Sequence, residues 1–250
     1  MERFALPFAS AAIVTLCLST AAFGCGSTTN EASCPDGCPP DAESDQVALA
    51  TAIAVRYMET YPYESELWDW KSGVLMHALG ELYFVTGDER LHDYYQSWLD
   101  YRIEQGYQML WSDSCPPAIT AVALLQEEPN AAYQQVLDDT LEYLDVTAPR
   151  TEEGGISHNG ILGNRPSVWL DSLFMFGMVL NRAAELPGYE TRLDMMSEQS
   201  RIITGILQDD NGFMRHAQDW PGYDESLYWA RGNAWVVAAL SDYLRIRLER

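Results

Sequence analysis

The run Gly73-Val-Leu-Met-His-Ala-Leu-Gly-Glu-Leu-Tyr83 is followed by Thr86-Gly87-Asp88 and then by apolar positions at Leu91, Tyr94, Tyr95, Trp98 and Leu99. Both runs place apolar residues at the spacing of an α-helix that turns one face to a core. A half-buried strand would alternate at every second residue, and neither run does. Thr86-Gly87-Asp88 stops the first helix, and the apolar positions from Leu91 start the next. The stretch therefore predicts two helices joined by a tight turn, an αα-hairpin.

Outward from this hairpin the same period predicts helices over 46–59, 70–86, 89–105, 117–127, 130–145, 167–185, 189–207 and 228–248. No segment alternates β-branched residues for long enough to nucleate a sheet. Similar hairpins recur at 118–145 and 173–207. The expected class is all-α, with stacked helical hairpins forming an α-solenoid or an α/α toroid. Three loops stand apart from ordinary turns: Trp111-Ser-Asp-Ser-Cys-Pro-Pro117, Pro149-Arg-Thr-Glu-Glu-Gly-Gly-Ile-Ser-His158 and Asp209-Asp-Asn-Gly-Phe-Met-Arg-His216. They collect acids, His and Arg on one side of the repeat, where a rigid scaffold can hold functional groups.

Composition narrows the function classes. With 47% hydrophobic residues the chain of 250 is too apolar for intrinsic disorder. Lys+Arg total 15 against 37 Asp+Glu, a net charge of -22, which excludes nucleic-acid binding by bulk charge. Lys71 is the single lysine, so any other cation that holds an anionic ligand is an arginine. Eight Trp and 14 Tyr fit either a large core or sugar-stacking platforms, and composition leaves both open.

The amino end reads as an export signal over residues 1–24, with the apolar run Leu6 to Phe23 meeting Cys25 after Gly24. Cys25 is a candidate lipidation site, which predicts an exported protein, either a cell-envelope lipoprotein tethered to the membrane or a secreted one. Residues 25–45, rich in Ser, Thr, Pro and acid, read as a disordered tether, and 46–250 as the folded domain. Cys34 and Cys38 suit a local disulfide, and Cys115 a free, partly buried thiol.

Asp171 carries the sharpest chemical signal. It lies within Val168-Trp-Leu-Asp-Ser-Leu-Phe-Met175, a run otherwise apolar on nearly every face. Burial disfavours the charged carboxylate and raises its pKa toward the range of a proton donor. The plain alternative is a carboxylate capping a neighbouring helix. Asp113 occupies a helix-entry position before Pro116-Pro117, and with Asp171 it would make the carboxyl pair used for acid and base work on sugars. Trp229-Ala-Arg-Gly-Asn-Ala-Trp235 sets Arg231 between two indoles near a helix start, with Gly232 permitting close approach. A cation there opposes the helix dipole and calls for an anion, from a ligand or from Asp224, Glu225 or Asp171. His158 and His216 each follow a glycine-containing turn and suit polar contacts to substrate, while His77 and His92 read as structural. No His-x-x-x-His or Cys cluster predicts a metal.

Taken together these segments resemble the unsaturated glycuronyl hydrolases of glycoside hydrolase families 88 and 105, especially the unsaturated rhamnogalacturonyl hydrolases. The likeness runs from about Trp68 to Leu244. It rests on Gly73 to Arg90, the run from Pro149 to His158, Val168 to Met175, Gly212 to His216 and Trp229 to Trp235, in that order. The resemblance implies an (α/α)6 toroid and no cofactor. It implies Asp171 as catalytic acid, Asp113 as the second carboxyl, and His158, His216, Trp229, Arg231 and Trp235 around the sugar. The context Ser112-Asp-Ser-Cys-Pro-Pro departs from the family's Asp-x-x-Pro-Gly. The implied substrate is an oligosaccharide ending in a 4,5-unsaturated uronic acid, and the implied reaction is acid-catalysed hydration of its vinyl ether.

About eight of the twelve helices of such a toroid are legible. The expectation is therefore an incomplete barrel, either of a truncated product or with its open edge covered by an oligomeric partner. Two other functions stand beside the leading one: an inverting (α/α)6 glycosidase on saturated glycans, and an inactive carbohydrate-binding lipoprotein.

Overall fold

The computed structural model describes residues 42–218, 220 and 228–250. The signal segment, Cys25, Cys34, Cys38, Asp224 and Glu225 lie outside the described residues. The helices are α1 (Ala42–Thr60), α2 (Trp70–Thr86), α3 (Glu89–Gln105), α4 (Pro117–Glu127), α5 (Ala131–Glu142), α6 (Ser172–Met175), α7 (Gly177–Ala184), α8 (Arg192–Leu207) and α9 (Ala230–Leu248). The all-α expectation holds, and among the described residues β-structure is confined to four isolated bridges. No helix of the described residues is long and apolar enough to cross a membrane.

The chain divides into two compact units, one comprising residues up to Glu66 with Val74–Trp98, the other Leu67–Gly73 with Leu99–Arg250. In the first, Leu79, Leu82, Leu91, Tyr95 and Trp98 are buried. The turn works as its residues require. Gly87 takes φ +65°, its N–H bonds back to the Tyr83 carbonyl, and the Asp88 carboxylate accepts from the Arg90 N–H at 3.1 Å. Trp98 Nε1 donates to the Glu66 carbonyl at 3.1 Å, and the Tyr94 hydroxyl to the Tyr61 carbonyl at 2.9 Å. His77 lies 3.7 Å from Glu81, and His92 packs against Tyr83 and Tyr95.

In the second unit α4 packs on α5 and α7, α7 on α8, and α9 on α6 and α7. Asn130 caps α5 through the N–H groups of Ala132 and Tyr133, Pro117 opens α4 at a position where a missing N–H costs nothing, and Asn181 Nδ2 ties α7 to the Ala239 carbonyl of α9 at 3.0 Å. Gly73 is required by proximity, because a Cβ there would lie 2.6 Å from the Pro116–Pro117 backbone. The absence of a side chain seats the first turn of α2 directly on the loop that carries Asp113.

Several boundaries differ from the periodic reading. α1 begins at Ala42, so the last residues assigned to the tether are helical. The segment predicted as helix from 167 starts only at Ser172, because Val168 to Leu170 are drawn into extended pairing with His216 to Gln218. Apolar residues on every face fit a buried extended segment as well as a buried helix, so period alone could not separate them. Cys115 is fully buried, not partly.

Candidate active site

The three unusual loops come together through backbone hydrogen bonds. The Ser112 N–H donates to the His158 carbonyl at 3.0 Å, the His158 N–H to the Ser167 carbonyl at 2.8 Å, and the Leu170 N–H to the His216 carbonyl at 2.9 Å. Asp113, His158, Asp171 and His216 are thus set side by side by main chain before any side-chain preference acts. The loop at 149–158 is fixed from behind. Arg150 donates to the carbonyls of Gly154 and Leu144, and the buried Gln199 accepts from the Ile156 N–H at 2.9 Å.

These residues line a cavity of about 480 Å³ with Trp70, Trp169, Met175, Tyr228, Trp229, Arg231 and Trp235. All seven sequence-nominated site residues are in its wall, so the structure brings the whole set together. Trp70, Trp169 and Tyr228 were not nominated. Trp169 had a signal, since it stands two residues before Asp171 in the same quoted run; Tyr228 lacked one.

His158 is the centre of the arrangement. Its Nε2 is 3.6 Å from Asp113 Oδ1, its Nδ1 3.9 Å from Asp171 Oδ1, and Nδ1 also lies 2.9 Å from the Ser172 hydroxyl. The ring is stacked on Trp169 at 4.2 Å and 6°. Burial pushes its pKa down to about 3, so it is a neutral imidazole near pH 7. The two carboxyls move the other way. Burial, with the nearby Asp171 charge adding, pushes Asp113 up to about 8. Burial pushes Asp171 up to about 6, while His216 and Arg231 pull against it. Each carboxyl keeps one buried oxygen, Oδ1, without a hydrogen-bond partner. Asp171 precedes α6 but makes no side-chain cap, so the capping alternative for it fails.

The other nominated residues form the mouth. Arg231 is exposed and lies 4.6 Å over the Trp229 ring. Gly232 allows this, because a Cβ at 232 would collide with the Trp229 ring. His216 lies between Trp169 and Trp229. Trp235 is 6% exposed and packs on Phe174 at 4.6 Å.

One further chemical property follows from proximity. Asp113, His158 and Asp171 offer donor atoms within 4.8 Å of one another, which is the group among the described residues that could hold a metal ion. Linear spacing had concealed it, because the three ligands come from three loops. Protons retained on the raised carboxyls compete with a cation for the same oxygens.

The sequence profile of Glycosyl Hydrolase Family 88 matches residues 47–249. The chain belongs to this family. The family-88 chain is 25% identical over 183 residues to the unsaturated rhamnogalacturonyl hydrolase YesR of Bacillus subtilis (strain 168), a match covering 71% of this chain and 53% of that protein. Among solved structures it is similar to a possible member of the GH105 family from Klebsiella pneumoniae, with a TM-score of 0.73, 22% identity, and coverage of 90% of this chain and 65% of that one. It is also similar to a family-88 glycosyl hydrolase from Bacteroides vulgatus, with a TM-score of 0.60, 17% identity, and coverage of 81% and 61%. The structural matches establish the helical-toroid fold shared with families 88 and 105. The chain spans about half the length of the curated relative, and less than two thirds of either structure.

Proposed function

We propose that this protein removes a 4,5-unsaturated uronic acid from the non-reducing end of lyase-generated oligosaccharides. The observation that carries the reading is the pair of buried carboxyls with raised pKa values, facing one neutral histidine in an aromatic-walled cavity. A vinyl ether is hydrated by protonation at carbon, and that step needs a carboxyl still protonated near neutral pH. Asp171 delivers the proton to C4. Positive charge then develops at C5 and the ring oxygen, water adds to C5, and the water proton passes to a carboxylate of the pair. The resulting hemiketal opens to a ketone, C1 becomes a hemiacetal, and this expels the aglycone. Protons balance over the cycle, and no covalent enzyme intermediate forms.

Asp113 and Arg231 set the timing. At rest the pair's last proton is held on Asp113, whose carboxyl is raised further than that of Asp171. Arg231 is among the groups that hold Asp171 down. A substrate carboxylate paired with Arg231 screens that pull, so binding the anionic sugar raises the affinity of Asp171 for its proton at the moment the proton is needed. His158, between the two carboxyls, is placed to keep them in register. Trp229 and Trp169 line the cavity beside these groups.

The test is incubation with lyase-generated pectic oligosaccharides, which should lose the ultraviolet absorbance of the double bond. Retention of that absorbance with every unsaturated uronide tried would reject the reading, while release of reducing sugar from saturated glycans would install the inverting-glycosidase alternative. A metal-dependent site is the second reading, favoured by the three converging donors. Turnover that survives dialysis against a chelator supports the acid pair. Loss restored by added zinc would replace it. We propose further that the protein is exported on residues 1–24, with Cys25 the residue available for a lipid tether; mass spectrometry of the mature amino terminus reads both.

A further inference from the structure

Ser172, the residue after Asp171, has a side chain that the reaction as described does not use. It is fully buried, and among the described residues its hydroxyl has one polar contact, His158 Nδ1 at 2.9 Å. The imidazole is held around that contact. One face stacks on Trp169, and Trp111 stands at 64° to the ring with its centroid 6.1 Å away. The His158 N–H and carbonyl are both tied to main chain, at Ser167 and Ser112. A hydroxyl that only accepted from Nδ1–H would keep its own proton buried with no acceptor, and burial closes off solvent as a substitute. The satisfied arrangement has Ser172 donating to a bare Nδ1. The single proton of a neutral imidazole is then on Nε2, because the bond made by one ring nitrogen decides the state of the other.

We infer that Ser172 is a positioning residue that fixes His158 as the Nε2–H tautomer, so that the ring turns its N–H to Asp113 and its occupied lone pair to Asp171. The inference rests on reading the two carboxyls as the reacting pair. Nε2 is 3.6 Å from Asp113 Oδ1, long for a hydrogen bond but close enough for the N–H dipole to favour a carboxylate there. Nδ1 is 3.9 Å from Asp171 Oδ1 and offers it no proton, so the ionised form of Asp171 gains nothing from the ring. One imidazole thus treats two buried aspartates differently. It eases the loss of the proton from Asp113 and leaves Asp171 to keep one. That is the polarity the hydration needs: a protonated Asp171 facing C4, and an Asp113 carboxylate to take the proton of the attacking water. His158 passes no proton in this role.

The deciding measurement is nitrogen NMR of the ligand-free full chain near pH 7 with 15N-labelled histidine, in which protonated and bare ring nitrogens resonate far apart. The chain has four histidines, and replacing His77, His92 and His216 by Gln one at a time assigns the signals of His158. The wild type should show Nε2–H. Ser172→Ala removes the donor and should turn the ring to Nδ1–H, while Ser172→Thr keeps the hydroxyl and should keep the wild-type tautomer. On an unsaturated uronide, Ser172→Ala should lower kcat about tenfold and change KM less than twofold, because the lost hydrogen bond acts on the reacting groups and not on the bound sugar. Asp69 and Lys71, which act on Asp113, and His216 and Arg231, which act on Asp171, are untouched by these changes. An Nδ1–H ring in the wild type, which no Ser172 variant is needed to see, would overturn the inference. So would an Nε2–H ring that survives Ser172→Ala, since Ser172 would then be packing only. Absence of turnover by the wild type on every unsaturated uronide would remove the functional reading, while the tautomer is decided by the spectrum alone.

Discussion

The hairpin over residues 74–98 and the loops around the main cavity bury polar groups in opposite ways. In the hairpin the polar tips of the large aromatics find main-chain carbonyls, as Trp98 does at Glu66 and Tyr94 at Tyr61. Among the described residues up to Glu66 and over Val74–Trp98, no buried side-chain nitrogen or oxygen is left without a partner. Around the cavity, Asp113 and Asp171 are each about 7% exposed, and each leaves Oδ1 unsatisfied. An unpaired buried polar atom costs on the order of 1–3 kcal/mol, so the second region is less stable than its apolar content would allow. Burial is also what raises both carboxyls, Asp113 to about 8 and Asp171 to about 6. One region satisfies its buried polar atoms, and the other leaves two carboxyl oxygens unsatisfied.

The sharpest way to break this comparison is to remove the anchor of the stable region. Trp98→Ala deletes a fully buried indole and its hydrogen bond, and should cost about 3–5 kcal/mol of folding free energy. Chemical denaturation should show the midpoint falling accordingly. A loss under 1 kcal/mol would mean that the hairpin is less tightly organised than its packing indicates.

Around the main cavity the expected pattern is reversed, with a large effect on rate and none of that sign on stability. Asp171→Asn should lower turnover by about 10²-fold or more, the usual consequence of losing a general acid, while the protein stays folded. The wild-type rate should fall as pH rises between about 6 and about 8, where Asp171 and Asp113 give up their protons. An alkaline limb near pH 4 would mean that the carboxyls are not raised, and near-normal turnover by Asp171→Asn would move the acid elsewhere.

Asp113 offers a quieter measure of the same contrast. Its folded pKa of about 8 lies above its ordinary 3.8, so the native state holds a proton that the unfolded chain has released between those values. Stability from this group is present below about pH 4 and is lost as pH rises through 8. Asp113→Asn cannot ionise, so it should raise the melting temperature at pH 8 relative to wild type and change it little at pH 4. For a domain of this size each kcal/mol is worth roughly 2–4 °C. A lower melting temperature at both pH values would show that the ionised carboxylate is structurally useful after all.

How much of this was readable in the sequence follows from the same division. The hairpin was legible because Gly87, Asp88 and the apolar period act locally, and a local rule needs no knowledge of what packs against it. Asp171 was legible because one charge in an apolar run is anomalous wherever the run ends up. Its segment's extended start was not, since the pairing of Leu170 with His216 depends on a partner 46 residues away. The convergence of Asp113, His158 and Asp171 was hidden for the same reason: three loops deliver one donor each, and no linear spacing encodes their meeting. The resemblance to families 88 and 105 supplied what spacing could not.

The smallest expected effect concerns Arg231, in the wall of the main cavity. Arg231 lies over Trp229 and is exposed, so its guanidinium is held by a ring face at the wall of the cavity. Arg231→Lys keeps the charge, loses the planar two-point grip, and places a compact ammonium where a flat cation had stacked. Binding of unsaturated uronides should weaken by roughly fivefold to tenfold, about 1–1.4 kcal/mol. A ligand whose carboxylate has been reduced to an alcohol should lose less than twofold on the same substitution, because it makes no charge-assisted contact to forfeit. The comparison between the two ligands is what gives the test its force. If charged and neutral ligands lose equally, Arg231 organises Trp229 and the helix entry and does not read the carboxylate, and the proposed coupling between substrate binding and the acidity of Asp171 loses its carrier.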